Sequence, residues 1–181
     1  MLKQYRHNPT HLFIDNQVYF ITAACYNKSH LLEKDSIKIF LLDTIRDFSN
    51  RVNWKFDNWV ILKNHYHFSI KSHKGVDLSY LMGNVHRKTA KFIREQSGFS
   101  GKTVWWNYWD YCPRGEIDYF QHLNYMLYNP IKHGYVDDLK DYDWSSFHVL
   151  FDELGKNCLL ERFKHYGYKD LRFDFEDDDD F

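Results

Sequence analysis

The sequence has little of what marks several large protein classes. Its three cysteines, Cys25, Cys112 and Cys158, are too few and too scattered for a disulfide framework or a zinc site. No apolar run approaches the length of a membrane span, and no basic-then-apolar leader opens the chain. Only eight glycines and three prolines interrupt 181 residues. We therefore expect a well-packed, soluble, cytoplasmic protein with one main domain.

Net charge is also almost absent, at −1, but it is unevenly distributed. Six acidic residues and no basic one lie within 174–180, so the rest of the chain carries about +5. The acidic run is either a solvated terminus, the commoner case, or a nucleic-acid mimic that competes for a basic groove. We predict a domain at 1–155, followed by an extension at 156–181 that ends in this disordered tail.

Hydrophobic periodicity predicts the order strand, helix, two strands, helix, strand, helix. The strands are expected at 17–26, on both sides of a turn at Lys63-Asn64 within 54–71, and, as a strand or a loop, at 104–111. Helices are expected at 34–50, 77–97 and 116–129, with a short last helix at 144–155. The third helix should stop at Asn129, because Pro130 disfavours helical geometry in the residue before it. This order predicts an α+β fold: an antiparallel β-sheet, a ferredoxin- or RRM-like palm, with helices packed against it.

The stretch "ILKNHYHFSI" (61–70) carries two histidines one residue apart. On a strand, His65 and His67 point to the same face, and Tyr66 and Phe68 point to the opposite, core face. Two imidazoles at this spacing can bind one divalent metal ion. Such a pair alone is more often an accident of surface or packing than a metal site.

The third helix offers side chains that could complete such a site. Tyr125 and Asn129 are four residues apart and share one helix face, with His122 three residues before Tyr125 on that side. If this face meets the histidine strand, Asn129 could supply an oxygen ligand and Tyr125 a phenol beside the metal. Taken alone, Tyr125 is a core residue, like most of the other tyrosines.

Four segments, in this order, resemble the single-tyrosine HUH transposases: "WVILKNHYHFSI", "NYWDYCPR", "YMLYNPIKHGYV" and "DWSSFH". Within that family they are most similar to the branch of REP-associated tyrosine transposases. Its members carry a strand with Asn-His-hydrophobic-His, a helix with Tyr-x-x-x-Asn-Pro followed by Lys-x-Gly, and a Trp-Ser-Ser segment. The resemblance spans roughly residues 10–150.

The resemblance implies a role for each matching residue. His65 and His67 would be metal ligands, Asn129 the third ligand, and Tyr125 the catalytic nucleophile. Members use Mg²⁺ or Mn²⁺, and a His-His-Asn site suits Mn²⁺ better, because Mg²⁺ prefers oxygen ligands. They cleave single-stranded DNA near a hairpin: the tyrosine becomes joined to the 5′-phosphate, and the released 3′-OH can later reseal a strand.

The sequence departs from the family pattern at three positions. Lys63 stands where proline is common, and Tyr111 replaces an arginine of the Trp-Asp-Arg-x-x-Arg run, in which Arg114 remains. Asn129 is neutral where some relatives use Gln or Glu. The first two changes affect DNA contacts more than chemistry, and the third could weaken metal binding.

Basic residues give candidates for phosphate contact. Four of them form a stripe on the helix predicted at 77–97: Arg87, Lys88, Lys91 and Arg94. The fifth candidate is Arg114, the arginine retained after the aromatic segment. The stripe could equally be an ordinary solvated helix face. The aromatic residues of 104–111 could stack unpaired bases, although core packing is expected for at least two of them.

The sequence therefore supports an enzyme that cuts and rejoins single-stranded, hairpin-bearing DNA. The alternative is a domesticated protein that binds structured DNA without strand transfer. A replication- or conjugation-type nickase would use the same chemistry, but such proteins are usually fused to further domains, for which 181 residues leave no room. A monomer and a homodimer both remain open.

Overall fold

Four strands form one sheet in the computed structural model, which describes residues 11–169 and 171. They are β1 (Val18–Cys25), β2 (Lys55–Ile61), β3 (His65–Lys71) and β4 (Trp105–Tyr111). The sheet order is β2-β3-β1-β4, and every neighbouring pair is antiparallel. The predicted antiparallel sheet is confirmed, and the aromatic segment forms an edge strand.

Four helices cover the sheet: α1 (Asp35–Arg51), α2 (Leu78–Ser97), α3 (Glu116–Lys132) and α4 (Phe147–His165). The order β1-α1-β2-β3-α2-β4 is that of a ferredoxin-like fold, so the α+β prediction is confirmed. None of the helices in the described part of the chain is long and apolar enough to cross a membrane.

Side-chain alternation along the strands gives the sheet two different faces. Tyr66, Phe68 and Ile70 of β3 are fully buried in a core that α1 and α2 share. On the opposite face, Phe20 and Val60 join a second core, formed with α3 and α4. The face of β3 that carries His65 and His67 is thus on the α3 side, under a helix rather than in open solvent.

The third helix continues past the point where we expected it to end. Pro130 lies within α3, which reaches Lys132, and His133 N–H still donates to Asn129 O at 2.9 Å. Gly134, at φ 67°, then ends the helix: its N–H bonds Ile131 O, and the next N–H bonds Pro130 O. The added turn places Lys132 on the same helix as Tyr125.

The last helix is longer than the predicted 144–155. Gly155 interrupts it with φ 77° and ψ 161°, and the chain then returns to helical geometry as far as His165. Beyond the interruption, Leu159 is buried in the second core, and Arg162 Nε donates to Asn124 Oδ1 of α3 at 3.1 Å. The division of the chain at residue 155 remains a prediction. The acidic run 174–180 lies outside the described residues.

Candidate active site

The two histidines of β3 lie side by side at the end of the strand that follows the β2–β3 turn. Their ring centroids are 5.0 Å apart, and the rings are nearly perpendicular. His65 is half-buried, whereas His67 is only 5% exposed. Across the sheet, His67 pairs with Thr22 of β1, and Thr22 pairs in turn with Trp109 of β4. The pair thus lies on a rigid sheet.

The Asn64 side chain orients His65. Asn64 Nδ2 donates to Lys28 O at 3.2 Å, which leaves Asn64 Oδ1 to accept from His65 Nδ1 at 2.7 Å. A carboxamide oxygen can only accept, so the proton of His65 is on Nδ1 and Nε2 carries the lone pair. Asn64 does not adopt a left-handed backbone conformation, although asparagine is a residue that tolerates one. Its side chain, rather than its backbone, explains its use before the histidines.

The Thr22 hydroxyl is the partner of the His67 ring. His67 Nδ1 lies 2.7 Å from Thr22 Oγ1. Burial, helped by the nearby His133 and Lys132 side chains and opposed by Asn129, lowers the pKa of His67 to about 3. The imidazole is therefore neutral at pH 7, as a metal ligand must be. In the tautomer in which Nδ1–H donates to Thr22 Oγ1, Nε2 presents its lone pair.

Helix α3 carries Tyr125 and Asn129 to this face of β3. Asn129 is fully buried, and its Nδ2 donates to Tyr125 O at 2.9 Å, which turns Oδ1 away from the helix backbone. The Asn129 amide lies close enough to His67 to affect its pKa, although the two side chains do not reach hydrogen-bond geometry. His67 Nε2 and Asn129 Oδ1 are two of three buried side-chain atoms without a hydrogen-bond partner within residues 11–169 and 171.

Two residues that sequence reasoning did not select complete the surroundings. Lys132 Nζ donates to the Tyr125 hydroxyl and lies 4.7 Å from the centroid of its ring. The His133 ring lies 5.0 Å from that of His65. The Lys-x-Gly signature contains Lys132, but the expected end of the helix at Asn129 hid its position relative to Tyr125. Tyr125 itself is only 4% exposed, with Lys132 over it.

The donor set fits a divalent metal ion. Two acceptor atoms that lie together in a buried place, His67 Nε2 and Asn129 Oδ1, are stabilised by a cation between them. No group of three His, Cys, Asp or Glu side chains able to hold a metal occurs among the described residues, so an amide oxygen would have to contribute. Nitrogen and oxygen donors together favour Mn²⁺ over Mg²⁺.

His122, on the same helix as Tyr125, contacts β4 and the first turn of α3. Its ring stacks on Tyr111 at 4.1 Å, and its Nδ1 lies 2.9 Å from Asp118 Oδ1. Asp118 Oδ2 also accepts hydrogen bonds from the Tyr111 hydroxyl and from the Arg114 N–H. His122 therefore anchors the start of α3 to β4.

The basic stripe lies on α2, on the opposite side of the sheet from Tyr125. Lys88 Nζ is 3.8 Å from Asp47, and Lys91 Nζ is 3.9 Å from Glu95. Arg87 donates to Asn84 and Arg94 to Lys102 O. Arg114 is exposed just before α3. It lines a surface pocket with Gln17 and Val18, at the end of β1 away from the one that pairs with His65. The structure thus separates Arg114 from the four residues of the stripe.

The aromatic side chains of β4 are divided between the two faces of the sheet. Trp105 is buried, and its Nε1 donates to Thr89 Oγ1 at 3.0 Å. Tyr108 stacks on His11 at 4.3 Å and belongs to the edge of the α1–α2 core. Trp109 is half-exposed and pairs with Thr22, so it lies on the same sheet face as His67.

The fold and site define a ferredoxin-like protein that carries a pair of histidines on its sheet beside a tyrosine-bearing helix. Residues 14–114 match the family described as "Transposase IS200 like", which is more than half of the chain. The protein therefore belongs to this transposase family. The matched region includes His65 and His67, whereas Tyr125 and Asn129 lie beyond it.

Individual relatives point to one branch of the family. A REP-associated tyrosine transposase of Escherichia coli K12 is 27% identical over 140 residues, covering 75% of this chain and 79% of that protein. A protein of Haemophilus influenzae Rd, provisionally given the same name, is 27% identical over 153 residues, covering 75% of this chain and 82% of its own. The structure of a REP-associated tyrosine transposase bound to a REP hairpin matches with a TM-score of 0.65 at 23% identity, covering 94% of this chain and 93% of that one. That last similarity supports the fold.

Proposed function

We propose that this protein cuts and rejoins single-stranded DNA through Tyr125, with His65, His67 and Asn129 holding Mn²⁺ or Mg²⁺. The observation that carries the proposal is the pair of buried acceptors, His67 Nε2 and Asn129 Oδ1, next to a helix turn that begins at Tyr125. Membership of a transposase family agrees with this chemistry.

The reaction is a transesterification at phosphorus. The Tyr125 hydroxyl oxygen forms a bond to the scissile phosphorus, and the bond from phosphorus to the 3′-oxygen breaks. That oxygen leaves with the electron pair and takes up a proton from water, while the phenol proton passes to solvent. The reverse attack by a 3′-OH restores the tyrosine and a DNA strand, so the energy of the phosphodiester is retained.

The chain supplies orientation. Asn64 fixes the ring proton of His65 on Nδ1, and the Thr22 hydroxyl can accept from the Nδ1–H of His67, which leaves both Nε2 atoms available to a common ligand. When bound, the metal ion polarises the phosphate and offsets its charge. The Asn129 bond to Tyr125 O couples the ligand position to the helix turn that carries the nucleophile.

The proposed partner is single-stranded DNA that carries a hairpin, as the REP hairpin bound by the structurally similar transposase suggests. Arg114 and the four residues of the α2 stripe are the candidates for phosphate contact. Both histidines, Asn129 and Tyr125 belong to one chain, so a single chain carries all the residues that the proposed reaction needs. We further propose residues 1–155 as the catalytic domain.

The test is covalent capture of labelled hairpin-tailed DNA in Mn²⁺, analysed on denaturing gels. We expect an adduct with the native protein, none with Tyr125→Phe or in EDTA, and a normal yield with Tyr128→Phe. Tyr128 is the matched control, because it lies on the same helix and contacts Tyr168. Tight DNA binding without any adduct would refute the enzyme and support a DNA-binding protein that does not cut.

A further inference from the structure

The Tyr125 hydroxyl is covered by a cation from its own helix. Lys132 follows seven residues later, and its Nζ both donates to the hydroxyl and lies over the ring. Lys132 is exposed, whereas Tyr125 is buried. A phosphate that approaches from solvent therefore meets the ammonium group before it meets the phenol.

The position of Lys132 depends on two features near the end of α3. The helix continues through Pro130, and Gly134 ends it one turn later in a left-handed conformation. Two helical turns separate Tyr125 from Lys132, so the two side chains share one face. The charge of Lys132 also reaches the metal ligand, since it contributes to the low pKa of His67.

We propose that Lys132 is a positioning residue that holds the Tyr125 oxygen and a non-bridging oxygen of the scissile phosphate at the same time. An ammonium group has three donors, so one can remain on the phenol while another binds the phosphate. Because Lys132 Nζ would bind both the Tyr125 oxygen and a phosphate oxygen, it would bring the nucleophile within attacking distance of the phosphorus. Lys132 stays protonated throughout and accepts no proton, so the bonds made and broken are those of the transesterification described above.

This inference rests on the proposed function. It predicts a different result from that expected if Lys132 had a purely structural role. A residue that only covers Tyr125 would slow the reaction if anything, and its loss would expose the nucleophile. A residue that only attracts DNA would change affinity alone. A residue that joins the nucleophile to the phosphate changes the rate of the bound complex.

The experiment compares Lys132→Met, which keeps the length of the side chain, with Lys132→Arg, which keeps the charge. Lys140→Met is the matched control, because Lys140 is an exposed lysine that pairs with Asp138 at 3.3 Å. Single-turnover adduct formation at saturating DNA gives the rate constant, and fluorescence anisotropy without metal gives the Kd. Thermal unfolding shows whether each variant folds.

We expect Lys132→Met to lower the rate constant by about 10- to 100-fold, with Kd changed by less than about threefold. Arginine should restore part of the rate, and Lys140→Met should match the native protein. With a methylphosphonate at the scissile position, which lacks one non-bridging oxygen, Lys132→Met should cause little further loss, because that contact is already removed.

A folded Lys132→Met protein with the native rate constant, or one altered only in Kd, would overturn the inference and leave the proposed function in place. Full additivity of the lysine and methylphosphonate defects would also overturn it. The tyrosine ¹³Cζ resonance of Tyr125, assigned with Tyr125→Phe, gives a readout without DNA or metal: it should move in Lys132→Met and not in Lys140→Met. Failure of the native protein to form an adduct is a different result and would remove the proposed function itself.

Discussion

Thr22 offers a sharp test of the metal centre, because it contacts a proposed ligand without being one. Thr22 Oγ1 lies 2.7 Å from His67 Nδ1. Thr22→Val removes that oxygen and keeps the shape of the side chain. The His67 ring then loses the partner of Nδ1 and can move its proton to Nε2, where the Asn129 amide oxygen lies nearby. We expect this change to block the proposed coordinating atom.

Two independent considerations give the same size of effect. Loss of the group that orients a metal-bound histidine typically lowers metal affinity about 10- to 100-fold, which corresponds to ~1.4–2.7 kcal/mol. Leaving a buried donor without a partner costs about 1–3 kcal/mol. His67 is 5% exposed, so water cannot easily replace the lost contact. We therefore expect Mn²⁺ binding to weaken by one to two orders of magnitude.

The assay is Mn²⁺ titration of the DNA-free protein at neutral pH, followed by calorimetry and by the decrease of the free-ion EPR signal. Thr22→Ser retains the hydroxyl and should stay within about threefold of the native affinity, whereas Thr22→Val should not. Urea unfolding of both variants shows whether the sheet is intact. If folded Thr22→Val binds Mn²⁺ as tightly as Thr22→Ser, the assignment of Nε2 as the coordinating atom is wrong.

Two further predictions concern stability. Burial lowers the pKa of His86 to about 3, so between pH 6.5 and 3 the unfolded chain binds a proton that the folded protein rejects, and stability falls with pH. Between pH 7.5 and pH 5 the buried His86 lowers the free energy of unfolding by ~2 kcal/mol. Urea unfolding at the two pH values should therefore show a loss of unfolding free energy that is ~2 kcal/mol smaller for His86→Gln than for the native protein. Equal losses in the two proteins would show that His86 is not responsible. Alanine at Gly75 places its Cβ 2.3 Å from Ile14 N, whereas Gly83 faces open space. Thermal unfolding should show ~1–3 kcal/mol lost for Gly75→Ala and none for Gly83→Ala; the reverse order would refute the close approach.

Local sequence patterns determined much of this protein. Alternation in "HYHFSI" placed Tyr66 and Phe68 in the core and both histidines on the other face, as the structure confirms. The spacing of Tyr125 and Asn129 put them on one helix face, and the Asn129 bond to Tyr125 O is the direct consequence. These features follow from the period of two in strands and of 3.6 in helices, which a short segment encodes by itself.

The same local rules misjudged the ends of two helices. The conformational cost in the residue before a proline predicted a stop at Asn129, yet α3 continues through Pro130, which is buried, and ends only at Gly134. Gly155 interrupts α4 without ending it, since Leu159 on the far side gains burial in the second core. Packing in both places outweighs a local preference.

Only the tertiary structure decided which faces meet. Thr22 reaches His67 because β1 pairs with β3, 45 residues apart in the chain. The α2 stripe lies far from Tyr125 because α2 and α3 cover opposite faces of the sheet. Periodicity tells which side of an element a residue occupies, but strand order and the packing of layers join one side to another, and those depend on contacts distant in sequence.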